Sequence, residues 1–260
     1  MNPAWDGGEV TSRATCVLAP NPGVMTLEGT NTWVLLEPGA QGCVVIDPGP
    51  LDEQHLQHVL DVVAGRGARV ALTLLTHGHA DHAESAGRFG ELTGSPVRAI
   101  GTGHDGLGDG DRLTVDGLDL AVVATPGHTG DSLSFLLAAE NALLTGDTIL
   151  GRGTAVVAWP DGELAAYLSS LRRIEAMTGS REVTRILPGH GPAVADAAGV
   201  VRYYLDHRAE RLEQVRAAVA LGAADVEAVL ATVYADVPHT LWPAARLSLQ
   251  AQLTYLQTHP

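Results

Sequence analysis

Hydrophobic positions fall into two kinds of pattern along the chain, short apolar runs and repeats of three and four residues. The runs predict strands at 14–18, 32–36, 42–46, 70–75, 96–100, 118–124, 133–137, 142–144 and 183–187. The repeats predict helices at 51–64, 81–91 and 163–178. Because strands alternate with helices, the sequence predicts an α/β protein built in layers.

The last quarter of the chain has a different pattern. From about Asp196 only helical repeats remain, and they predict helices at 200–221, 225–234 and 244–256. We therefore expect two units, a larger α/β domain over 1–195 and a compact helical domain over 196–260.

Several predicted strands end at a Gly or Pro turn that carries a histidine or an aspartate. The loop after the strand at 70–75 reads Thr-His-Gly-His-Ala-Asp-His over 76–82. Three later strand ends present the same residue types. Imidazole and carboxylate groups suit zinc and other borderline divalent ions. The pattern predicts a metal site along a sheet edge, with candidate ligands His77, His79, Asp81, His82, His128, Asp147 and His190.

Other polar residues allow two interpretations. Asp47 ends the strand at 42–46, where it is either a turn former or an acceptor for the ring of a ligand histidine. His207, Arg208 and Arg211 form the only basic concentration of the helical domain, as a solvated face or a contact to an anionic substrate.

Isolated histidines are predicted to be structural or solvated. His55 and His58 lie on the helix at 51–64 without acidic or cysteine partners, and we expect both at the surface. His104 and Asp105 lie in a Gly/Asp-rich segment that predicts a solvated loop.

Composition narrows the possible partners and location. The 260 residues carry a formal net charge of −14, which argues against sequence-independent nucleic-acid binding, and no duplex DNA is expected as a partner. All 16 basic residues are arginine, which indicates a GC-rich, bacterial coding sequence. Cys16 and Cys43 are predicted to be buried, reduced thiols. Residues 1–10 show no signal-peptide pattern and no apolar stretch reaches about 20 residues, so we expect a soluble, cytoplasmic protein without a membrane partner.

The ligand pattern resembles the metallo-β-lactamase superfamily, from His-x-His-x-Asp-His at 77–82 through the three later residues. The resemblance implies a four-layered αββα sandwich with two metal ions, zinc first, with iron or manganese as alternatives. One ion would be held by His77, His79 and His128. The other would be held by Asp81, His82 and His190, with Asp147 bridging the two. Asp47 matches the superfamily's first motif and would orient a ligand.

A narrower resemblance comes from residues 21–32, which are similar to the lactamase-beta-like subgroup. Its members include a mitochondrial single-strand endoribonuclease and, more distantly, thioesterases of fungal polyketide pathways. Such relatives often carry a small winged-helix-like C-terminal domain and a His-Arg-x-x-Arg pattern, which residues 207–211 match. Loop position and resemblance suggest substrate contacts at Asn31, Thr32, Arg152 and His207.

Sequence differences from other members of the superfamily limit the activities that we expect of this chain. Enzyme types with true β-lactamase activity carry Cys, or no metal-binding acid, at the position of Asp147. The lysine that often anchors a β-lactam carboxylate is absent from this chain, so antibiotic hydrolysis is not expected. No large insertion separates Asp147 from His190, which leaves no room for the nuclease cap of RNA-processing relatives.

The implied function is a dinuclear zinc-dependent hydrolase that uses a metal-bridging hydroxide, with Asp81 orienting it or moving its proton. Resemblance and the arginines near His207 favour cleavage of single-stranded RNA. The net charge and the missing cap favour a thioester or other small-ester hydrolase, glyoxalase-II-like or an acyl-thioesterase. A di-iron redox protein is a further alternative, and the oligomeric state stays open.

Overall fold

A computed structural model describes residues 5–101, 105–223 and 225–259. His104 lies outside the described residues, and the solvated loop predicted there stays a prediction. Asp105 is predicted in the same loop, but its backbone lies in a short strand, Asp105–Gly106, whose pairing with a neighbouring strand the loop composition does not reveal. No helix within these ranges is both long and apolar enough to cross a membrane.

The first sheet contains seven strands arranged in chain order. They are β1 (Gly8–Glu9), β2 (Ala14–Leu18), β3 (Asn31–Leu35), β4 (Gly42–Ile46), β5 (Arg69–Leu74), β6 (Val97–Ala99) and β7 (Asp105–Gly106). Pairing is antiparallel from β1 to β4 and parallel from β4 to β7. The carboxyl ends of β4 and β5 therefore meet at one edge.

The second sheet contains five strands in the order β12-β11-β10-β9-β8. They are β8 (Arg112–Val115), β9 (Leu118–Ala124), β10 (Leu133–Leu137), β11 (Ala142–Gly146) and β12 (Arg185–Pro188). Only β11 and β12 are parallel neighbours. Because β9 and β11 are both antiparallel to β10, the carboxyl ends of β9, β11 and β12 share an edge.

Helices cover the outer faces of both sheets. The helices of the described chain are α1 (Glu53–Gly65), α2 (Ala80–Ala83), α3 (Ala86–Thr93), α4 (Leu164–Gly179), α5 (Ala197–Ala220), α6 (Val226–Val233) and α7 (Trp242–Thr258), and α6 packs on α5 and α7 rather than on a sheet. Strand β3 shows how the layers form, because Trp33 and Leu35 point between the sheets while Val34 packs under α1. Alternate side chains thus fill different cores and the whole strand is buried. The predicted four-layered αββα sandwich is confirmed.

Helix α5 belongs to two hydrophobic cores. Val201 and Tyr204 in its first half pack with α4 against the second sheet. Val215 in its second half packs with α6 and α7 in a separate cluster. The domain boundary between 195 and 196 falls at the Asp196 N-cap of this shared helix and stays a prediction.

Two expectations about local structure differ from the fold. The helix predicted at 81–91 is divided into α2 and α3, because the backbone N–H and the hydroxyl of Ser85 both donate to the Gly49 carbonyl. Strand β8, like the two-residue strands β1 and β7, is absent from the sequence prediction. It pairs with β9 through a tight turn at Asp116 and Gly117, both at positive φ, a geometry that the short apolar pattern at 112–115 does not reveal.

Candidate metal centre

Five strands deliver the candidate ligands to one edge of the sandwich. The loop from β5 into α2 carries four of them, β9 leads to His128, β11 to Asp147 and β12 to His190, while β4 ends at Asp47. Since these are carboxyl ends of strands in two facing sheets, residues distant in sequence converge. The structure brings all seven predicted ligands together.

The ligand atoms form three overlapping groups, each within 4.8 Å. The groups are His77, His79 and His128; His77, His82 and Asp147; and Asp81, His82 and His190. The first and third are the two triads implied by the resemblance. Asp147 lies between them, with Oδ2 3.8 Å from His128 Nε2 and 3.4 Å from His190 Nε2.

Hydrogen bonds on the outer side of the rings fix which nitrogen faces inward. Nδ1 of His82 lies 2.8 Å from Asp47 Oδ2, and Nδ1 of His128 lies 2.6 Å from the Val156 carbonyl. Nδ1 of His190 lies 3.2 Å from the Gly29 carbonyl. Each Nδ1–H therefore donates outward, and in the neutral ring Nε2 is left as an inward acceptor.

Several ring nitrogens and carboxylate oxygens that accept hydrogen bonds face one another inside the centre, and their spacing indicates whether the site suits a metal. Nε2 of His82 and Nε2 of His190 lie 3.2 Å apart, and neither neutral ring has a proton to share there. Asp147 Oδ1 is buried without a hydrogen-bond partner in the described part of the chain, 3.4 Å from His82 Nε2. Converging lone pairs at such distances repel unless a cation lies between them, so the donor set fits divalent metal.

The electrostatics of the centre agree with this donor set. Burial alone would lower the pKa of His190, but the Asp147 and Asp81 carboxylates raise it to about 9. Burial lowers the pKa of His77 well below its usual range and lowers that of His128. The Asp81 and Asp147 carboxylates therefore favour neighbouring positive charge, while His77 and His128 favour the neutral form that coordinates metal.

Asp47 is placed as an acceptor for a ligand ring. Its Oδ1 accepts from the Thr76 N–H at 2.8 Å, and its Oδ2 accepts from the Thr76 hydroxyl at 2.6 Å and from His82. Since Thr76 Oγ1 has given its proton to Asp47, it accepts from His77 Nδ1–H at 3.0 Å. One buried carboxylate thus orients two rings, directly and through a hydroxyl.

Glycine next to the ligands permits their close approach. A Cβ at Gly189 would lie 2.5 Å from Asp147 Oδ1 and 2.7 Å from His82 Cε1. Any larger residue at this position would displace two of the seven ligands.

The predicted substrate contacts are divided between the framework and the cavity. Asn31 is buried, and its amide donates to the carbonyls of Pro188 and Gly191 at 2.9 and 2.8 Å. Thr32 donates to the Asp47 carbonyl at 2.7 Å. Neither lines the two cavities at the centre that are described below, and their hydrogen bonds brace the ligand loops. Arg152 and His207 do line such a cavity.

The structure contradicts the prediction that His55 lies at the surface. Its side chain is buried, and Nε2 lies 2.9 Å from Thr32 Oγ1, whereas His58 is exposed as expected. Burial lowers the pKa of His55 to about 4. His55 lies one turn before Val59 on the buried face of α1, and a polar residue on that face is not counted in an apolar repeat.

Two adjoining cavities open on the centre. The smaller, about 180 Å³, is lined by Met25, His79, Asp81, His128, Asp147, Val156, Ala158, His190, Ala244 and Leu247. The larger, about 310 Å³, shares five of these residues and extends towards α5, the segment after α6, and α7. Its walls are mainly apolar, with Val24, Leu150, Val237 and Leu241 among them. The C-terminal helices therefore complete a pocket that begins at the ligands.

Sequence reasoning missed several residues of this pocket. Val24 and Met25 are exposed apolar side chains in the loop before β3, and the only signal for them is their position in a Pro-Gly turn region. The Val156 carbonyl has no side-chain signal at all.

His207, which the sequence analysis did predict, has a neutral ring. Burial lowers the pKa of His207 to about 4, and the charges of Arg208 and Arg211 add to the effect.

Comparison with known proteins follows the same division of the chain. The family model described as the metallo-beta-lactamase superfamily matches residues 25–106 and 103–190. A second, described as the beta-lactamase associated winged helix domain, matches residues 226–259. The described part of that segment contains only helical elements.

Curated relatives and solved structures cover most of the chain. A beta-lactamase-like protein 2 homolog of Drosophila melanogaster is 33% identical over 95% of this chain and 89% of its own. An atrochrysone carboxyl ACP thioesterase of Aspergillus fumigatus is 35% identical over 79% of this chain and 64% of its own. The crystal structure of a metallo-beta-lactamase family protein from Thermus thermophilus has a TM-score of 0.79 and 21% identity, and covers 96% of this chain and 95% of that one.

Proposed function

We propose that this chain, which belongs to the metallo-β-lactamase superfamily of hydrolases, cleaves small acyl thioesters or related esters that carry an apolar group. The observation that supports this most is the pocket of about 310 Å³ with mainly apolar walls that begins at His128 and Asp147. Its volume is in the range of small-molecule sites. A thioesterase among the relatives, 35% identical over 79% of this chain, favours the same substrate class.

The proposed metal sites follow the two outer triads. His77, His79 and His128 would hold one divalent cation, and Asp81, His82 and His190 the second, with Asp147 shared between them. Zinc is the ion we propose, because imidazole and carboxylate ligands suit it, and iron or manganese would also accept this set. Two such cations would supply a water of lowered pKa and polarise the oxygen of the scissile carbonyl.

Asp81 is the side chain proposed to handle the proton of the attacking water. Its carboxylate is 30% exposed, lines the smaller cavity and has Oδ2 3.2 Å from His190 Nε2. A carboxylate facing both the cavity and the centre can accept a proton where the nucleophile forms. Thiolate, with a thiol pKa of about 8.5, leaves without strong proton donation, so a thioester can be cleaved without a separate acid for the leaving group.

The apolar walls hold the other part of the substrate. Met25, Val156 and Ala244 line both cavities and so lie beside the point where the carbonyl would meet the nucleophile. An acyl group packed there excludes bulk water from the reacting atoms and fixes their orientation. The C-terminal helices thereby contribute to substrate selection.

RNA cleavage and di-iron redox chemistry are the competing hypotheses. A net charge of −14 and a mainly apolar pocket oppose binding of an RNA backbone, whose affinity depends on neutralised phosphates. A di-iron centre would colour the protein, whereas zinc is colourless.

The cytoplasmic location expected from the sequence stays a prediction.

The test is an activity panel with the zinc-loaded protein. The substrates are hexanoyl-N-acetylcysteamine, 4-nitrophenyl hexanoate and labelled single-stranded RNA, each with wild type and His79→Ala. We expect cleavage of the thioester, abolished in His79→Ala, and no RNA product. RNA cleavage that requires His79, without thioester cleavage, would overturn the proposal.

A further inference from the structure

Arg208 is a buried cation in the wall of the larger cavity. It is 5% exposed, one Nη2–H donates to the Ala155 carbonyl, and its guanidinium carbon lies 5.0 Å from the centroid of the Tyr167 ring. Its Nε has no hydrogen-bond partner, and no carboxylate of the described residues lies within 4.0 Å. At least one donor of this buried cation is therefore unused.

Such a group is unfavourable in an apolar wall. A guanidinium keeps its charge and has five N–H donors. Burying a charge without a counter-ion is unfavourable, and contacts to one carbonyl and one aromatic residue offset only part of that cost. An anion entering the cavity would remove this cost.

Neighbouring groups on α5 strengthen the positive character of this wall. Arg211 lines the same cavity, lies 4.6 Å from the centroid of the Tyr234 ring and donates to the Val233 carbonyl. Its nearest carboxylate, Asp236, is 4.0 Å away and 77% exposed, which leaves the ion pair weak. Arg152, elsewhere in the cavity, is already neutralised by Glu28 at 2.6 Å.

We propose that Arg208 and Arg211 form an anion-binding subsite for a carboxylate or phosphate group of the substrate, in the wall that α5 contributes to the apolar pocket. This inference rests on the proposed function for the reacting end. The anion has two sources, a carboxylate at the far end of the acyl chain or a phosphate of the thiol carrier. In both cases the apolar walls hold the segment between the anion and the thioester.

The first experiment compares three thioesters with the zinc-loaded wild type. Hexanoyl-N-acetylcysteamine carries no charge, the monothioester of adipic acid with N-acetylcysteamine carries a terminal carboxylate, and hexanoyl-coenzyme A carries phosphates. A hydrogen bond to a charged group contributes about 1.5–3 kcal/mol, or roughly 10- to 100-fold. We expect a KM at least tenfold lower for one anionic substrate than for the neutral one, and the substrate that gains identifies the source.

Substitutions test whether Arg208 and Arg211 cause the lower KM of the anionic substrate. Arg211→Gln and Arg208→Gln are expected to raise KM at least tenfold more for the preferred anionic substrate than for the neutral one. Arg216→Gln is the matched control, since this arginine lies on the same helix, pairs with Glu213 and is outside the cavity. If Arg208→Gln does not fold, Arg211→Gln and the wild-type comparison decide. Equal KM values for all three substrates, or equal effects of Arg211→Gln and Arg216→Gln, would overturn the subsite.

Calorimetry measures anion binding at the subsite independently of hydrolysis. Adipate, hexanoate and free coenzyme A are titrated into the zinc-loaded protein, so that hexanoate accounts for carboxylate binding at the metal. Adipate or coenzyme A should bind at least tenfold more tightly than hexanoate, and Arg211→Gln should remove the difference. This result without any thioester hydrolysis would leave the subsite standing and refute the proposed activity. Hydrolysis without any arginine-dependent preference would refute only the subsite.

Discussion

Asp47→Asn is the substitution that examines most closely how the ligands are oriented. The amide has the shape of the carboxylate, but one of its two oxygens becomes an N–H donor. Directed at His82, the amide nitrogen would face Nδ1–H across 2.8 Å. Directed the other way, it would face the Thr76 N–H across 2.8 Å. Either orientation puts two donors against each other.

In the first orientation, His82 can relieve the conflict only by moving its proton to Nε2. That tautomer cannot coordinate metal at Nε2, the atom that faces His190 at 3.2 Å. Loss of such an orienting acceptor typically weakens metal binding or activity 10- to 100-fold, or about 1.4–2.7 kcal/mol. We expect this loss for the cation proposed between Asp81, His82 and His190, and a smaller one for the other site.

The assay is zinc affinity measured by competition with a chromophoric chelator. Asp225→Asn is the matched control, because this aspartate accepts from the Ala228 N–H at an exposed helix N-cap far from the ligands. The control should keep its zinc affinity and most of its stability, because Asn caps a helix about as well as Asp. If Asp47→Asn binds both zinc equivalents as tightly as wild type, the argument that the carboxylate fixes the tautomer is wrong.

Three further predictions concern the packing, the pH dependence and the metal. Gly189→Ala should fold but lose zinc affinity and activity at least tenfold, because its Cβ would lie 2.5 Å from Asp147 Oδ1; Gly179→Ala, with nothing within 4 Å, should lose neither. In urea titrations, the contribution of His55 to stability should fall by roughly 3 kcal/mol from pH 6.5 to 4, because unfolded chains protonate His55 at its usual pKa while the native side chain has a pKa of about 4. His55→Gln should remove this part of the slope and His58→Gln should not. Chelation should lower Tm, and zinc at 100 times its Kd should restore about 2.7 kcal/mol, an effect that an unrelated salt should not reproduce.

Much of the fold and of the ligand set was predictable from the sequence. The strands are continuous apolar runs because both faces of each sheet are covered, and β9 and β10 have the predicted bounds. His128, Asp147 and His190 follow three such runs at Gly or Pro turns, so chemistry and position agree at each point. Convergence then follows from the shared edge of the strands.

The sequence pattern does not contain the contacts that depend on packing between distant segments. Asn31 looks like a loop residue near the site, yet its amide bridges two carbonyls more than 150 positions later. Arg208 belongs to a helix with a charged appearance, and only the packing of α5 on Tyr167 buries it. The larger cavity likewise combines the loop at 24–27, residues 150–156 and the C-terminal helices, which share no periodic signal.

The most direct measurement for the central claim is the metal content of the purified protein after zinc loading and dialysis. Seven converging ligands predict about two zinc ions per wild-type chain. His79→Ala should reduce the content towards one, and Asp147→Ala should weaken both sites. A wild-type content well below one ion per chain, or two ions retained in both variants, would contradict the assignment of these side chains as a dinuclear centre.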